Sequence, residues 1–344
     1  MWINQLLYRY MLGQLYNKLI HIFAAMRYKM YKKILCHWPT FVGYWVVNQP
    51  VTLLSFINSG TSETACDITF IFKNYFHQKV LHKKINKKFL EWFIGFAEGK
   101  GSFIVLNNKV YFDINVSIRD IQVIYYIKKE LGFGKVMIKN MDHNNSIGRT
   151  VSFYLTSEEN FSRLVSIFNG NLCTVNKKQE FKNWLEIFNN QYSKDISFID
   201  RVIRPSLTTG WLSGYIDALG SFIGLTENKE LNAPNKTLYL TFSIYQKEFF
   251  ILKDISGVLN VSIKNIRYNK DRNGWILTIS SFKRIKLIVH YLKRYPLKTN
   301  KSLAFAKWCK IYNITLNKEH IYSIGLNKIS SLSLRLEEIN KYKS

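Results

Sequence analysis

The chain has 344 residues, enough for two modest domains or one domain copied, each with its own core. Hydrophobic residues make up 47% and charged residues only 21%, which excludes a disordered polyelectrolyte. Forty-nine Lys and Arg against 23 Asp and Glu leave a net charge of +26, which points to a polyanionic partner: nucleic acid before an anionic membrane or an acidic substrate.

Residues 1–87 read as a basic, acid-poor extension. Up to Lys88 only Glu63 and Asp67 are acidic, against twelve Lys and Arg. Such a stretch suits an organellar targeting segment or a retained arm lying on RNA, with Lys83, Lys84, Lys87 and Lys88 at its end. The uncharged run 36–61 is interrupted by Asn48, Gln49 and Pro50, so it is not read as a membrane span. Cys36, Cys66, Cys173 and Cys309 are scattered, which predicts free thiols rather than a disulfide or zinc framework. The seven histidines show no metal-ligand spacing.

From Lys88 the chain repeats itself. The stretch Trp92-Phe-Ile-Gly95-Phe-Ala-Glu98-Gly99-Lys100-Gly101-Ser102-Phe103 returns 119 residues later as Trp211-Leu-Ser-Gly214-Tyr-Ile-Asp217-Ala218-Leu219-Gly220-Ser221-Phe222. Lys177, Phe181 and Trp184 return as Lys301, Phe305 and Trp308, 124 residues apart. The repeat predicts one unit over 88–190 and a second over 208–315, with a linker at 191–207 and a helical tail at 316–344. In the tail, Leu332, Leu334 and Ile339 carry the helical spacing.

Within each unit the elements follow the same order. The motif reads as a helix ending at Gly101 or Gly220. Val110, Phe112, Ile114, Val116 and Ile118 then alternate with Tyr111, Asp113, Asn115, Ser117 and Arg119, the period of a half-buried strand. Asp120 is positioned to cap a helix that Gly132 stops. A further strand covers Thr150 to Leu155, and Thr156 with Glu159 has the form of a capping box for the next helix. In the second copy Leu238, Leu240, Phe242 and Ile244 point inward, and Asn273-Gly274 marks a hairpin turn. Trp184 and Trp308 read as core packing on the last helix of each unit. The pattern predicts an α+β fold of two αββαββα units, each with one antiparallel sheet backed by helices.

The outward strand positions carry the functional reading. Tyr111, Asn115, Ser117 and Arg119, with Thr150, Ser152 and Tyr154, offer hydrogen bonding and stacking in the first unit. Tyr239, Thr241, Ser243, Tyr245 and the following Lys247 do so in the second. In so basic a chain these faces are candidate nucleic-acid-binding surfaces, with cations on phosphates and strand side chains on base edges. Gly95 and Gly99, and Gly214 and Ala218, are four apart on one helix face, so the two motif helices are expected to pack as the domain interface.

These two copies, Phe93 to Gly101 and Leu212 to Gly220, resemble the paired LAGLIDADG motifs of intron-encoded homing endonucleases and group I intron maturases. The resemblance covers roughly residues 88–315. It implies a monomer with internal pseudo-twofold symmetry and saddle-shaped antiparallel sheets. In that family the eighth motif position of each helix is an acid, and the two acids together hold divalent metal. Here those positions are Lys100 and Leu219. An ammonium repels a divalent cation and an isobutyl group cannot ligate one. Glu98 and Asp217 remain two residues earlier, about 200° around the helix. No metal site and no catalytic residue are expected.

Lys177 and Lys301 match the basic residues that flank the family's active centre. Gln246 matches a solvent-orienting polar residue, replaced in the first unit by Ile118. Three readings follow. The first is a maturase-like protein that binds structured RNA and does not cut. The second is an RNA-binding subunit of an organellar ribonucleoprotein such as the mitochondrial ribosome. The third is an active intron-encoded endonuclease cutting double-stranded DNA. The first is favoured, because folding an RNA needs a charged scaffold and no carboxylates. No cofactor is expected unless the third holds, when it would be Mg²⁺. No membrane partner is expected, and the resemblance implies a mitochondrial or other organellar gene.

Overall fold

In the computed structural model, residues 70–76, 86–139, 149–228 and 236–341 are described. The uncharged run 36–61, Cys36, Cys66 and Lys83–Lys84 lie outside them. No helix of the described residues is long and apolar enough to cross a membrane.

The two copies fold alike. The first runs α1 (Lys87–Lys100), β1 (Gly101–Leu106), β2 (Lys109–Ser117), α2 (Ile121–Leu131), β3 (Lys135–Lys139), β4 (Thr150–Leu155), α3 (Glu158–Phe168) and α4 (Val175–Tyr192). The second runs α5 (Trp211–Leu219), β5 (Gly220–Asn228), β6 (Lys236–Gln246), α6 (Phe249–Val258), β7 (Ile266–Asn269), β8 (Gly274–Ile279), α7 (Phe282–Arg294) and α8 (Lys301–Leu316). The predicted αββαββα order is present twice, and each copy adds a further helix, α4 or α8. Both sheets are four-stranded and antiparallel with equivalent strand orders, β1-β2-β4-β3 and β5-β6-β8-β7.

Strand alternation decides which face is covered. Phe103, Phe112, Ile114 and Phe153 are buried under α3 and α4, with Phe103 edge-on to Phe168 and to Trp184. Phe222, Phe242, Ile244 and Leu277 are their counterparts, with Phe222 against Phe305 and Trp308. Both repeated tryptophans are fully buried, as their recurrence predicted. Trp184 Nε1 donates to the Tyr111 carbonyl at 2.7 Å, and Trp308 Nε1 to that of Thr241 at 3.1 Å. Asn107 and Asn108 turn β1 into β2 with φ of 49° and 56°, as a two-residue hairpin requires. The Asn273-Gly274 hairpin forms between β7 and β8, and Gly132 stops α2 at φ 76°.

The first helix of each copy is apolar all round because it is covered all round. Every residue from Phe89 to Glu98 is buried, as is every residue from Trp211 to Ala218. These helices pack on each other with almost no side chain between them. A Cβ on Gly95 would lie 2.0 Å from the Trp211 carbonyl oxygen, and one on Gly214 would lie 1.9 Å from that of Trp92. One on Gly99 would meet Ala218 Cβ at 2.4 Å. The four small residues singled out in the sequence are the helix–helix interface.

Carboxylates stitch this interface, among them Glu91, which accepts from Gly210 N at the head of α5 at 2.8 Å. Glu98 Oε1 accepts from the backbone N–H groups of Cys173 (2.5 Å) and Thr174 (3.3 Å) at the start of α4, and Oε2 from Trp211 Nε1 of the other copy at 2.9 Å. Asp217 mirrors it. Its Oδ1 accepts from Thr299 N and Oγ1 at 3.2 and 2.6 Å, and its Oδ2 from Lys298 N at 2.7 Å and from Trp92 Nε1 at 2.9 Å. Two more carboxylates cross to the opposite copy. Glu248 accepts from Val175 and Asn176 N at the head of α4 (3.0 and 3.2 Å), and Asp120 from Asn300 N at the head of α8 (2.8 Å). Asp120 therefore does not cap its own helix through its side chain, as the sequence suggested; its carboxylate is drawn to unpaired N–H donors of the other copy.

Three further expectations change. The Thr156–Glu159 capping box does not form: α3 starts after Ser157, and Glu159 pairs instead with Arg163 at 2.5 Å, one turn on. Residues 70–76, which the sequence placed in the basic extension, pack on the first copy. Phe70, Phe72 and Tyr75 are buried, and Asn171 bonds the Ile71 backbone through both N–H and carbonyl. The tail is helical as expected: α9 (Ser323–Lys341) docks through Ile329 and Leu336, and Asn340 Nδ2 donates to the Phe222 carbonyl at 2.9 Å. Leu334, one of the residues that carry the tail's helical spacing, faces solvent at 63% exposure, because one helix side covers only every third or fourth position.

Two outcomes follow from the helix pair. Gly95→Ala or Gly214→Ala forces a methyl against a carbonyl oxygen and is expected to destabilise the fold by about 3 kcal/mol or more in urea unfolding. Burial pushes Glu98 up to about 8, against the opposing pull of its three N–H donors. Folding therefore favours its protonated form, and this contribution to stability is lost as pH rises from about 4.5 to about 8. Glu98→Gln is expected to flatten that loss when unfolding free energy is measured at stepped pH.

Candidate nucleic-acid interface

The motif helices end side by side, at Lys100 and Leu219. Lys100 is exposed, while Leu219 is half-buried, with Cγ 3.0 Å from the place a Gly99 Cβ would occupy. Glu98 and Asp217 do not substitute for the missing acids: their oxygens are turned inward and already accept three and four hydrogen bonds. The helical rotation argued from the sequence gives this outcome.

Around the helix ends stand Lys177, Lys301 and Gln246. Lys177 Nζ bonds Glu180 one turn along α4 at 2.6 Å, and Lys301 Nζ reaches the Ile216 carbonyl at 3.3 Å. Gln246 donates from Nε2 to the buried Tyr215 hydroxyl at 2.7 Å and accepts from Lys247 N at 2.7 Å. Burial raises the Tyr215 phenol well above its usual range, so the hydroxyl stays neutral. A divalent ion such as Mg²⁺ needs hard oxygen ligands, and an ammonium beside a hydrocarbon supplies none. The residues at the helix ends do not fit that ion. Among the described residues no group of three or more His, Cys, Asp or Glu is placed to hold a metal.

The predicted sheet residues fall into adjacent rows. On the outer face of the first sheet Asn115 pairs in register with Ser152, and Ser117 with Thr150. Tyr111, Asn115, Ser117 and Arg119 are exposed, and Thr150 and Tyr154 are half-buried. Ser152 is a correction. It points outward but is only 1% exposed, covered by its neighbours in the middle of the sheet, so it is not open to a ligand. Its hydroxyl has no partner among the described residues. On the second sheet Tyr239 and Lys247 are exposed, and Thr241, Ser243 and Tyr245 are half-buried. The Tyr245 hydroxyl donates to the Arg272 carbonyl at 2.5 Å, and the Arg272 guanidinium sits over its ring at 5.8 Å.

The sequence reading missed part of each face. Lys135 and Lys139 on β3 and Arg267 on β7 add exposed cations beside the predicted rows. Ile104, Leu106 and Met137 make the far end of the first sheet apolar, around a cavity of about 520 Å³ that also touches Tyr111 and Tyr154. Strand alternation from Ser102 through Ile104 to Leu106 is the signal that places the first two there. Asp113, the acid on this face, is half-buried; burial raises its carboxyl, and Lys139 partly opposes that.

The profile of the LAGLIDADG endonuclease family matches residues 93–188 and 212–312, the two copies described above. A Neurospora crassa protein described as "Probable intron-encoded endonuclease 4" is 37% identical over 232 residues, 67% of this chain and 41% of that protein. The chain thus spans about two fifths of that relative's length. A Schizosaccharomyces pombe protein, "Uncharacterized cox1 intron-2 37.2 kDa protein", is 28% identical over 79% of this chain and 80% of its own. Among solved structures, the meganuclease I-SmaMI bound to uncleaveable DNA superposes with a TM-score of 0.58 at 20% identity, over 73% of this chain and 98% of that one, which is a likeness of fold. With both motif regions matched and the duplicated architecture in place, the chain belongs to the LAGLIDADG endonuclease family.

Proposed function

We propose that this chain is a LAGLIDADG protein that grips nucleic acid, structured RNA by preference, and does not cut it. The observation that carries this reading is the pair of motif helix ends, where Lys100 and Leu219 stand in place of acids while Glu98 and Asp217 are held in hydrogen bonds. Cleavage by the family's route requires oxygen ligands for metal between the strands.

The grip itself has independent support. The net charge of +26 supplies phosphate contacts, and the outer sheet faces supply Tyr, Asn, Thr and Ser side chains beside Lys135, Lys139 and Arg267. I-SmaMI, which shares the fold, is seen bound to DNA. Lys177 and Lys301, at the heads of α4 and α8, act as phosphate anchors rather than as part of a cutting centre. RNA is favoured because a protein that cannot cut cannot spread an intron through DNA, whereas stabilising a folded intron needs binding alone. Duplex DNA is the second reading, favoured by the DNA-bound neighbours. The names of the relatives, intron-encoded and in one case from cox1, support a mitochondrial gene.

The test uses the full chain. It is expected to leave no nicks in duplexes selected for binding from a random pool, in Mg²⁺ or Mn²⁺; nicking would overturn the inactive reading. It is expected to hold structured RNA more tightly than those duplexes, with affinity falling about a thousandfold or more between roughly 50 and 200 mM salt. Equal or tighter binding of duplex DNA moves the assignment to the second reading.

A further inference from the structure

Helix α7 carries an unusual charge pattern that the sheet faces do not explain. Its 13 residues include Lys283, Arg284, Lys286, Lys293 and Arg294 and no acid. Ile285, Ile288, Val289 and Leu292 are buried in the second copy, while Lys283, Lys286, His290, Lys293 and Arg294 are exposed. Their spacing draws one stripe along about 15 Å of helix. Among the described residues no carboxylate lies within ion-pair distance of it. The stripe ends at a cavity of about 140 Å³, whose rim holds Arg294 together with Lys88 and Lys298.

The duplication provides an internal control. Phe161, Leu164, Val165 and Phe168 of α3 lie 124 residues before Ile285, Ile288, Val289 and Leu292, and are buried in the same way. The positions matching the stripe are then Glu159, Ser162, Ser166, Asn169 and Gly170. The helix position itself therefore does not demand cations: the matching face of α3 is neutral to acidic and, beyond Glu159, half-buried or buried, whereas the α7 face is exposed and basic. Clustered like charges without counter-charge destabilise the folded chain, so the stripe needs a reason outside the fold.

We propose that the exposed face of α7 is a second nucleic-acid contact, separate from the outer sheet faces, binding the phosphate backbone of an RNA helix. Charge complementarity selects the phosphodiester. A lipid surface is disfavoured because the apolar side of α7 is already spent in the core and has nothing left to insert. Where one duplex would have to bend by 40–90° to touch both the sheets and α7, the bend costs about 1–6 kcal/mol. A folded RNA presents separate helices to the two surfaces without that cost.

The inference rests on RNA being the partner, and the experiment separates the two failures. Lys283→Gln, Lys286→Gln and Lys293→Gln are combined in the full chain, with Lys135→Gln and Lys139→Gln on the first sheet as a second variant. The α7 variant is expected to melt like the parent, to bind structured RNA at least tenfold more weakly, and to lower the salt slope by about 2. It should bind short duplex DNA as the parent does, whereas the sheet variant weakens both. A photoreactive phenylalanine analogue at position 290 is expected to crosslink the RNA. Parental RNA affinity and slope in the α7 variant, with no crosslink, would overturn the second contact while leaving the sheet reading intact. No RNA affinity in the parent would remove both. Binding to phosphatidylserine vesicles that the α7 variant loses, with RNA binding unchanged, would reassign the stripe to a membrane.

Discussion

The two motif helices meet backbone to backbone, and the position of every other element follows from that contact. Gly95 against the Trp211 carbonyl and Gly214 against the Trp92 carbonyl leave no room for a side chain, so distance and crossing are set by main-chain atoms alone. The indole of each tryptophan then donates to the carboxylate of the opposite helix, Trp92 to Asp217 and Trp211 to Glu98. The same carboxylates take the N–H groups that begin α4 and α8, so each acid fixes the partner helix and its own copy's last helix together. Burial outweighs these hydrogen bonds, so both carboxyl groups are raised and the N–H donors offset only part of the desolvation cost.

This arrangement explains how the sixth and eighth motif positions part ways. The sixth faces the interior and carries the assembly. The eighth sits where the helices run out, and its side chain supports no packing that a lysine or leucine disturbs. Chemistry at the helix ends is therefore separable from the fold. Lys100 and Leu219 stand at the eighth position, while Glu98 and Asp217 at the sixth keep their hydrogen bonds across the interface.

Most of the architecture is legible from two periodicities, the repeat of about 120 residues and the alternation along strands. Together they assign inward and outward residues on β2, β4 and β6, because a strand offers only two faces. The inward turn of Glu98 and Asp217 is equally legible, since a helix fixes the angle between positions six and eight. What escapes is long-range. Asp120 looks locally like the cap of α2, and nothing in its neighbourhood announces an acceptor role at Asn300, 180 residues away. Ser152 has the pattern of an open strand position but lies where rows from three strands close over it. Leu334 fits a helical stripe whose phase only the docked surface decides.

The exchange of caps between copies carries a last implication. Glu248 serves the head of α4 and Asp120 the head of α8, so each half keeps in its own sequence an acceptor that only the other half uses. A freed half would expose helix-terminal donors and a flat strip of glycine-lined backbone at once. The fused pair behaves as a dimer that can no longer dissociate. Within it, a substitution at either acid is felt in the opposite copy, while the surfaces that face ligand remain free to diverge, as α3 and α7 have done.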